Sequence, residues 1–160
     1  MKSIAFSLII MSATGLSIAQ NVDIKDAWAR TSVQGQKATG AFMTLIAKDG
    51  AKLVGVSTPV AGVAEVHEMK MDGDIMRMRA VTGGLDLPAG KAVELKPSSY
   101  HIMLMDLKAA LPKDTTVPLT LVFKDAKGVQ SKIELKVPVS TAAPRATSAG
   151  GAMQMDQHKH

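Results

Sequence analysis

The 160-residue sequence contains no cysteine. That absence excludes disulfide cross-links, thiol–disulfide exchange and covalent c-type haem attachment. It also excludes blue-copper electron transfer, whose metal is held by a thiolate. Aromatic residues are scarce, at 3% of the chain, and the formal net charge is only +5. The basic residues are scattered and no basic stripe alternates with stacking rings, so nucleic acid is excluded as a partner. Beyond residue 19 no apolar run is long enough to span a bilayer, which predicts a mature chain without a membrane span. No nucleophile–base pair, no paired carboxylates and no catalytic metal set with an open position can be found. The expectation is therefore a binding protein and not an enzyme.

The first nineteen residues are of a different kind. Lys2 precedes an apolar stretch from Ile4 through Met11, and Ser17-Ile18-Ala19 supplies small residues at a cleavage site. This is the pattern of a secretory signal peptide over residues 1–19, cut after Ala19. It predicts export to the periplasm. Residues 20–140 then form one domain of ordinary size, able to bury a single core. Nothing in the sequence argues against a monomer.

That domain reads as short strands. Candidates are Val22–Ala29, Ala38–Ile46, Lys52–Val56, Ala64–Met71, Ile75–Val81, Ala92–Leu95, Tyr100–Leu107, Val117–Phe123 and Ile133–Val139. Val117, Leu119, Leu121 and Phe123 alternate with more polar neighbours, as half-buried strands do. Turn residues separate the runs: Asp49-Gly50, Asp72-Gly73, Gly83-Gly84, Pro88-Ala89-Gly90, Pro97-Ser98-Ser99 and Lys127-Gly128. Many short strands with frequent turns predict an all-β fold, a Greek-key β-sandwich or barrel. Strand order does not follow from this pattern. Residues 141–160 change character: Ala, Ser, Thr, Gly and Pro predominate, which predicts a flexible tail.

Methionine and histidine are what the chain has in quantity and in pattern. Of four histidines, His67 and His101 lie in the domain and His158 and His160 close the tail. Met69, Met71, Met76, Met78, Met103 and Met105 cluster around the two domain histidines, and Met153 and Met155 sit in the tail. In Val66-His67-Glu68-Met69-Lys70-Met71 the soft donors occupy alternate positions and so share one strand face. A two-residue turn at Asp72-Gly73 would pair Met69 with Met76 and His67 with Met78, Cβ atoms about 5 Å apart. A three-residue turn would instead place Arg79 opposite His67. The segment His101-Ile102-Met103-Leu104-Met105 repeats the device, with His101 and Met103 on one face and Ile102 and Leu104 toward the core.

Two such elements brought together offer two imidazoles and two thioethers: His67, Met78, His101 and Met103. Thioether sulfur is soft and neutral, and such ligands select copper(I). No carboxylates gather as calcium or magnesium would require, and zinc takes Cys, His or carboxylate in preference to Met. Met69 is a further candidate ligand. In the tail, Met153 and Met155 with His158 and His160 form a second candidate copper segment, able to take copper(II) through the histidines.

These residues resemble the periplasmic copper-A chaperone family, whose members carry an H(M)-x10-M-x21-H-x-M motif. Ten residues separate His67 from Met78, and His101-Ile102-Met103 matches H-x-M. Surrounding segments are similar too, among them Gly84-Leu85-Asp86-Leu87-Pro88-Ala89-Gly90 and Leu95-Lys96-Pro97. The resemblance covers residues 22–139. One departure is a spacing of 22 between Met78 and His101, expected to be absorbed in the loops of residues 82–99. The resemblance implies a cupredoxin-like fold that carries copper(I) and delivers it to the copper-A-bearing subunit of a respiratory oxidase or to another copper-accepting exported protein. A copper buffer or resistance protein without a dedicated client is the alternative.

Overall fold

A computed structural model describes residues 21–144. Ten strands make up the regular structure of these residues, in the order β1 (Val22–Arg30), β2 (Ala38–Ala47), β3 (Ala51–Ser57), β4 (Ala61–Asp72), β5 (Ile75–Ala80), β6 (Leu85–Leu87), β7 (Ala92–Leu95), β8 (His101–Leu107), β9 (Thr116–Lys124) and β10 (Gln130–Ser140). The all-β expectation holds. The expected signal segment lies outside the described residues, and so does the tail beyond residue 144.

The sandwich or barrel takes the form of one curled sheet. Its order is β5-β4-β8-β2-β1-β10-β9-β3-β6, with β7 pairing β2 beyond the end of β8. All of these pairings are antiparallel except β1 with β10. A single core fills the curl. Leu45, Leu53, Ile102, Leu104, Leu119, Leu121 and Phe123 are each at most 1% exposed, and they come from β2, β3, β8 and β9. The alternation read from residues 117–123 is thus the inward face of β9. Ile102 and Leu104 are inward as expected, which turns His101 and Met103 to the outer face of the sheet.

Two differences from the sequence reading have physical causes. Leu85–Leu87 is a strand, β6, which pairs with β3. At three residues between turn segments it is too short to show a period. The β4–β5 hairpin closes around Gly73-Asp74 and not Asp72-Gly73, so that Asp72 pairs with Ile75, Met71 with Met76, Met69 with Met78 and His67 with Ala80. Gly73 takes φ +65 at the first central position, where a tight Gly-X hairpin turn needs a positive φ. The slip is two residues. It changes the partners and leaves the faces intact.

Strand β1 carries the other local device that matters. Its register against β2 shifts between Lys25 and Trp28. Asp26 sits in this bulge at φ 52, a left-handed conformation that a short polar side chain tolerates. The extra residue places Trp28 opposite Phe42, on the same outer face as His101.

Candidate metal centre

Strand β8 lies between β4 and β2, and the site is built across these three strands and β5. His67 and His101 are directly opposed in the β4–β8 ladder, their ring centroids 6.1 Å apart. This pairing fixes the face of His101, so the longer Met78–His101 spacing is absorbed in the connections before β8. Met78 reaches the pair from β5, and its Sδ lies 3.2 Å from His101 Nε2. Met103 follows two residues beyond His101 on the same face. Met69, Met78, His101 and Met103 line one groove of about 270 Å³, with Arg30 and Phe42 on its wall.

The imidazole of His101 is held in one orientation. Its Nδ1 lies 3.1 Å from the Ser99 carbonyl oxygen, so Nδ1–H donates there and the lone pair remains on Nε2, facing the Met78 sulfur. The 3.2 Å approach then sets two lone-pair donors side by side with no proton between them. A backbone carbonyl that fixes the tautomer of a histidine is the usual outer support of a metal ligand. The same Ser99 oxygen accepts the Met69 backbone N–H at 3.2 Å, tying β4 to the loop before β8.

Burial is the main cause holding the His101 imidazole below its ordinary value of 6.5. The Ser99 hydrogen bond opposes this, while the charges of His67 and Arg30 add to it. His101 is 4% exposed. Behind it stand the aromatics that the sequence could spare: Phe42 at 6.4 Å between centroids, and Trp28 at 4.7 Å from Phe42. The Arg30 guanidinium carbon lies 5.4 Å from the Phe42 centroid. Gly40 makes room for this stack, because a Cβ there would come within 2.7 Å of the Phe42 ring. A glycine inside a strand signals such close approach.

His67 is set back from the groove. It is 8% exposed, its Nε2 is 3.1 Å from Glu65 Oε2, and its Nδ1 is buried without a hydrogen-bond partner. A buried nitrogen left unsatisfied is costly unless something else engages it. Glu65 itself stands opposite Met103 in the ladder. Thus Met78, His101, Met103 and Met69 meet in one groove, and His67 stands beside His101 across the β4–β8 ladder. Met153, Met155, His158 and His160 lie outside the described residues. Phe42, Trp28, Gly40, Glu65 and Ser99 were not singled out from the sequence. Of these, Gly40 carried a local signal as a glycine within a strand run, and Ser99 was legible only as part of a turn.

Among the described residues no group of three or more His, Asp or Glu is placed to hold an ion. The donor set here is two imidazoles and several thioethers, which fits a soft monovalent ion and not a hard divalent one.

Comparison with known proteins shows the family and the fold. Residues 22–139 match the family described as "Putative lipoprotein LpqE-like". The chain is 30% identical over 107 residues to the "Putative lipoprotein Lxx21020" of Leifsonia xyli subsp. xyli, an alignment over 67% of this chain and 64% of that protein. A second curated relative is likewise covered over 62% of its length, so the chain spans under two thirds of each. Among solved structures, the apo PCuAC domain from PmoF1 superposes with a TM-score of 0.61 at 20% identity, over 78% of this chain and 96% of that domain. The copper(I) form of DR1885 from Deinococcus radiodurans gives a TM-score of 0.54 at 29% identity, over 77% of this chain and 82% of that one. With the motif residues gathered on one face of that fold, the chain belongs to the LpqE-like family of PCuAC-type proteins.

Proposed function

We propose that the protein is an exported, periplasmic carrier of copper(I). It holds the ion with Met78, His101 and Met103, with His67 completing the set, and passes it to an acceptor richer in thiolate. The observation that carries this reading is the contact of the Met78 sulfur with the lone-pair nitrogen of a buried, tautomer-fixed His101. The copper(I) form of the similar DR1885 supports it.

The chemistry suits a carrier. Thioether and imidazole bind copper(I) as neutral donors, and a thiolate acceptor outcompetes them. A copper-A centre in a respiratory oxidase subunit is such an acceptor, and transfer to it by stepwise ligand exchange is part of the proposal. Arg30 beside the groove adds a positive charge that disfavours a cation and favours its release. Met78 is 48% exposed, which leaves a donor within reach of an incoming ligand.

The test is a competitive copper(I) titration of the chain without its signal segment, beside Met78→Leu and His101→Ala. One tight equivalent, weakened at least about tenfold in each variant, is expected, since losing a ligand costs more than about 1.4 kcal/mol. Equal affinity in all three proteins would overturn the site.

A further inference from the structure

The β4–β5 hairpin carries more thioethers than the site above can use. Met69 pairs with Met78 and Met71 pairs with Met76. Residues two apart on a strand share a face, so these four side chains form a two-by-two array on one face of the hairpin. The opposite face is mostly charged: beside Lys70 and Ile75 it carries two ion pairs, Arg77 with Asp72 at 2.8 Å and Arg79 with Glu68 at 2.6 Å.

A strand hairpin with one apolar and one charged face normally buries the apolar one. Here that face is open. Met71 is 55% exposed, Met76 50% and Met78 48%, on an edge of the sheet where every residue of β5 is exposed. Packing therefore does not account for the methionines. A general apolar docking patch would mix leucine, valine and aromatic side chains, whereas the array contains thioether alone. It is continuous with the copper groove, since Met69 and Met78 belong to both.

We propose that Met69, Met71 and Met76 form a second copper(I) site, exposed at the hairpin and weaker than the first, through which the ion enters and leaves by way of Met78. This rests on the copper reading of the groove and extends it. Three neutral sulfurs bind a soft monovalent ion. Lacking the imidazoles and the burial of the groove, they hold it less firmly and give it up faster. The register supplies the path: the ion moves by one step along the hairpin, from the Met71–Met76 pair to the Met69–Met78 pair, and then to His101.

The experiment follows the methionine methyl resonances of the signal-free chain during titration with silver(I), a soft ion without redox chemistry. Single Met→Leu variants assign the signals, and Met153 and Met155 report the tail separately. The Met78 and Met103 methyls should shift with the first equivalent, and those of Met69, Met71 and Met76 with a later one. In the exposed, near-isosteric double variant M71L/M76L the first event should persist and the remaining Met69 response should be lost or weakened at least tenfold. Methyls of Met71 and Met76 that stay unmoved through three equivalents would overturn the second site, as would an unchanged Met69 response in the double variant. His101→Ala separates the two readings. If it abolishes the first event and leaves the Met71 and Met76 shifts, the hairpin site stands. If the first event also survives in His101→Ala, the groove reading fails by itself. Shifts of the hairpin methyls caused by an added exported protein, with none caused by silver(I), would identify a docking face and overturn the metal proposal.

Discussion

At the scale of single residues, His101 decides most of the site's behaviour. Its imidazole resists protonation in the fold because burial penalises the charged form, with His67 and Arg30 adding to the effect. The unfolded chain takes up that proton near 6.5. Between that value and the lower folded one the unfolded state binds more protons, so the contribution of His101 to stability is full above 6.5 and lost as pH falls below it. Copper affinity shares the direction, since only the neutral ring ligates. A histidine ring titration by NMR should place the His101 midpoint below that of an exposed histidine; a midpoint above it would contradict the described burial. Gly40 gives a second residue-scale prediction. Gly40→Ala puts a methyl where the Phe42 ring lies, and overpacking of this kind costs about 1–3 kcal/mol. Chemical denaturation should show that loss, together with weaker copper binding, because Phe42 backs His101.

At the scale of elements, the β4–β5 hairpin is the part set apart from the core. Its turn depends on Gly73 at φ +65, which an L side chain adopts at a cost of about 1 kcal/mol. Gly73→Val should raise amide exchange in β5 and weaken copper binding through Met78, with little change in the exchange of β9. Uniform loss of protection in both strands would mean that the hairpin folds only with the core. The hairpin also shows how far local pattern reaches. The alternation of His67, Met69 and Met71 was legible and gave the correct face. The pairing partners were not, because Asp72-Gly73 and Gly73-Asp74 are both acceptable loops. The choice between them rests on strand pairing beyond the turn. β6 escaped detection for a related reason: three residues acquire strand character only from the partner β3.

At the scale of the molecule, the buried core and the exposed edge of the site bear differently on stability. Phe123 is 1% exposed and belongs to the inward face, so Phe123→Ala should cost about 3–5 kcal/mol. Met78→Leu, half exposed, should leave the apo unfolding midpoint nearly unchanged while weakening copper binding. Copper(I) should raise that midpoint in the parent protein by mass action, through a stabilisation of about 2.7 kcal/mol at a free concentration a hundred times Kd. No such rise in the parent chain would count against the groove. The tail is a further proposal: replacing Met153, Met155, His158 and His160 together should lower total copper uptake and leave the groove's first equivalent intact. Unchanged uptake would remove the tail from the copper chemistry.

The sequence by itself determined the class of strand-rich fold, the identity of the soft donors and the face on which each stands, because side-chain direction follows from a period of two along the backbone. It carried no information on which strands would be neighbours. Only the tertiary structure set β8 between β4 and β2, brought His67 opposite His101 across 34 positions of chain, and let the bulge at Asp26 turn Trp28 behind Phe42. Those arrangements arise from burying one common core, a condition met by the whole sheet and by no segment of it. The Met78–His101 contact, on which the proposed metal centre depends, is a consequence of that burial.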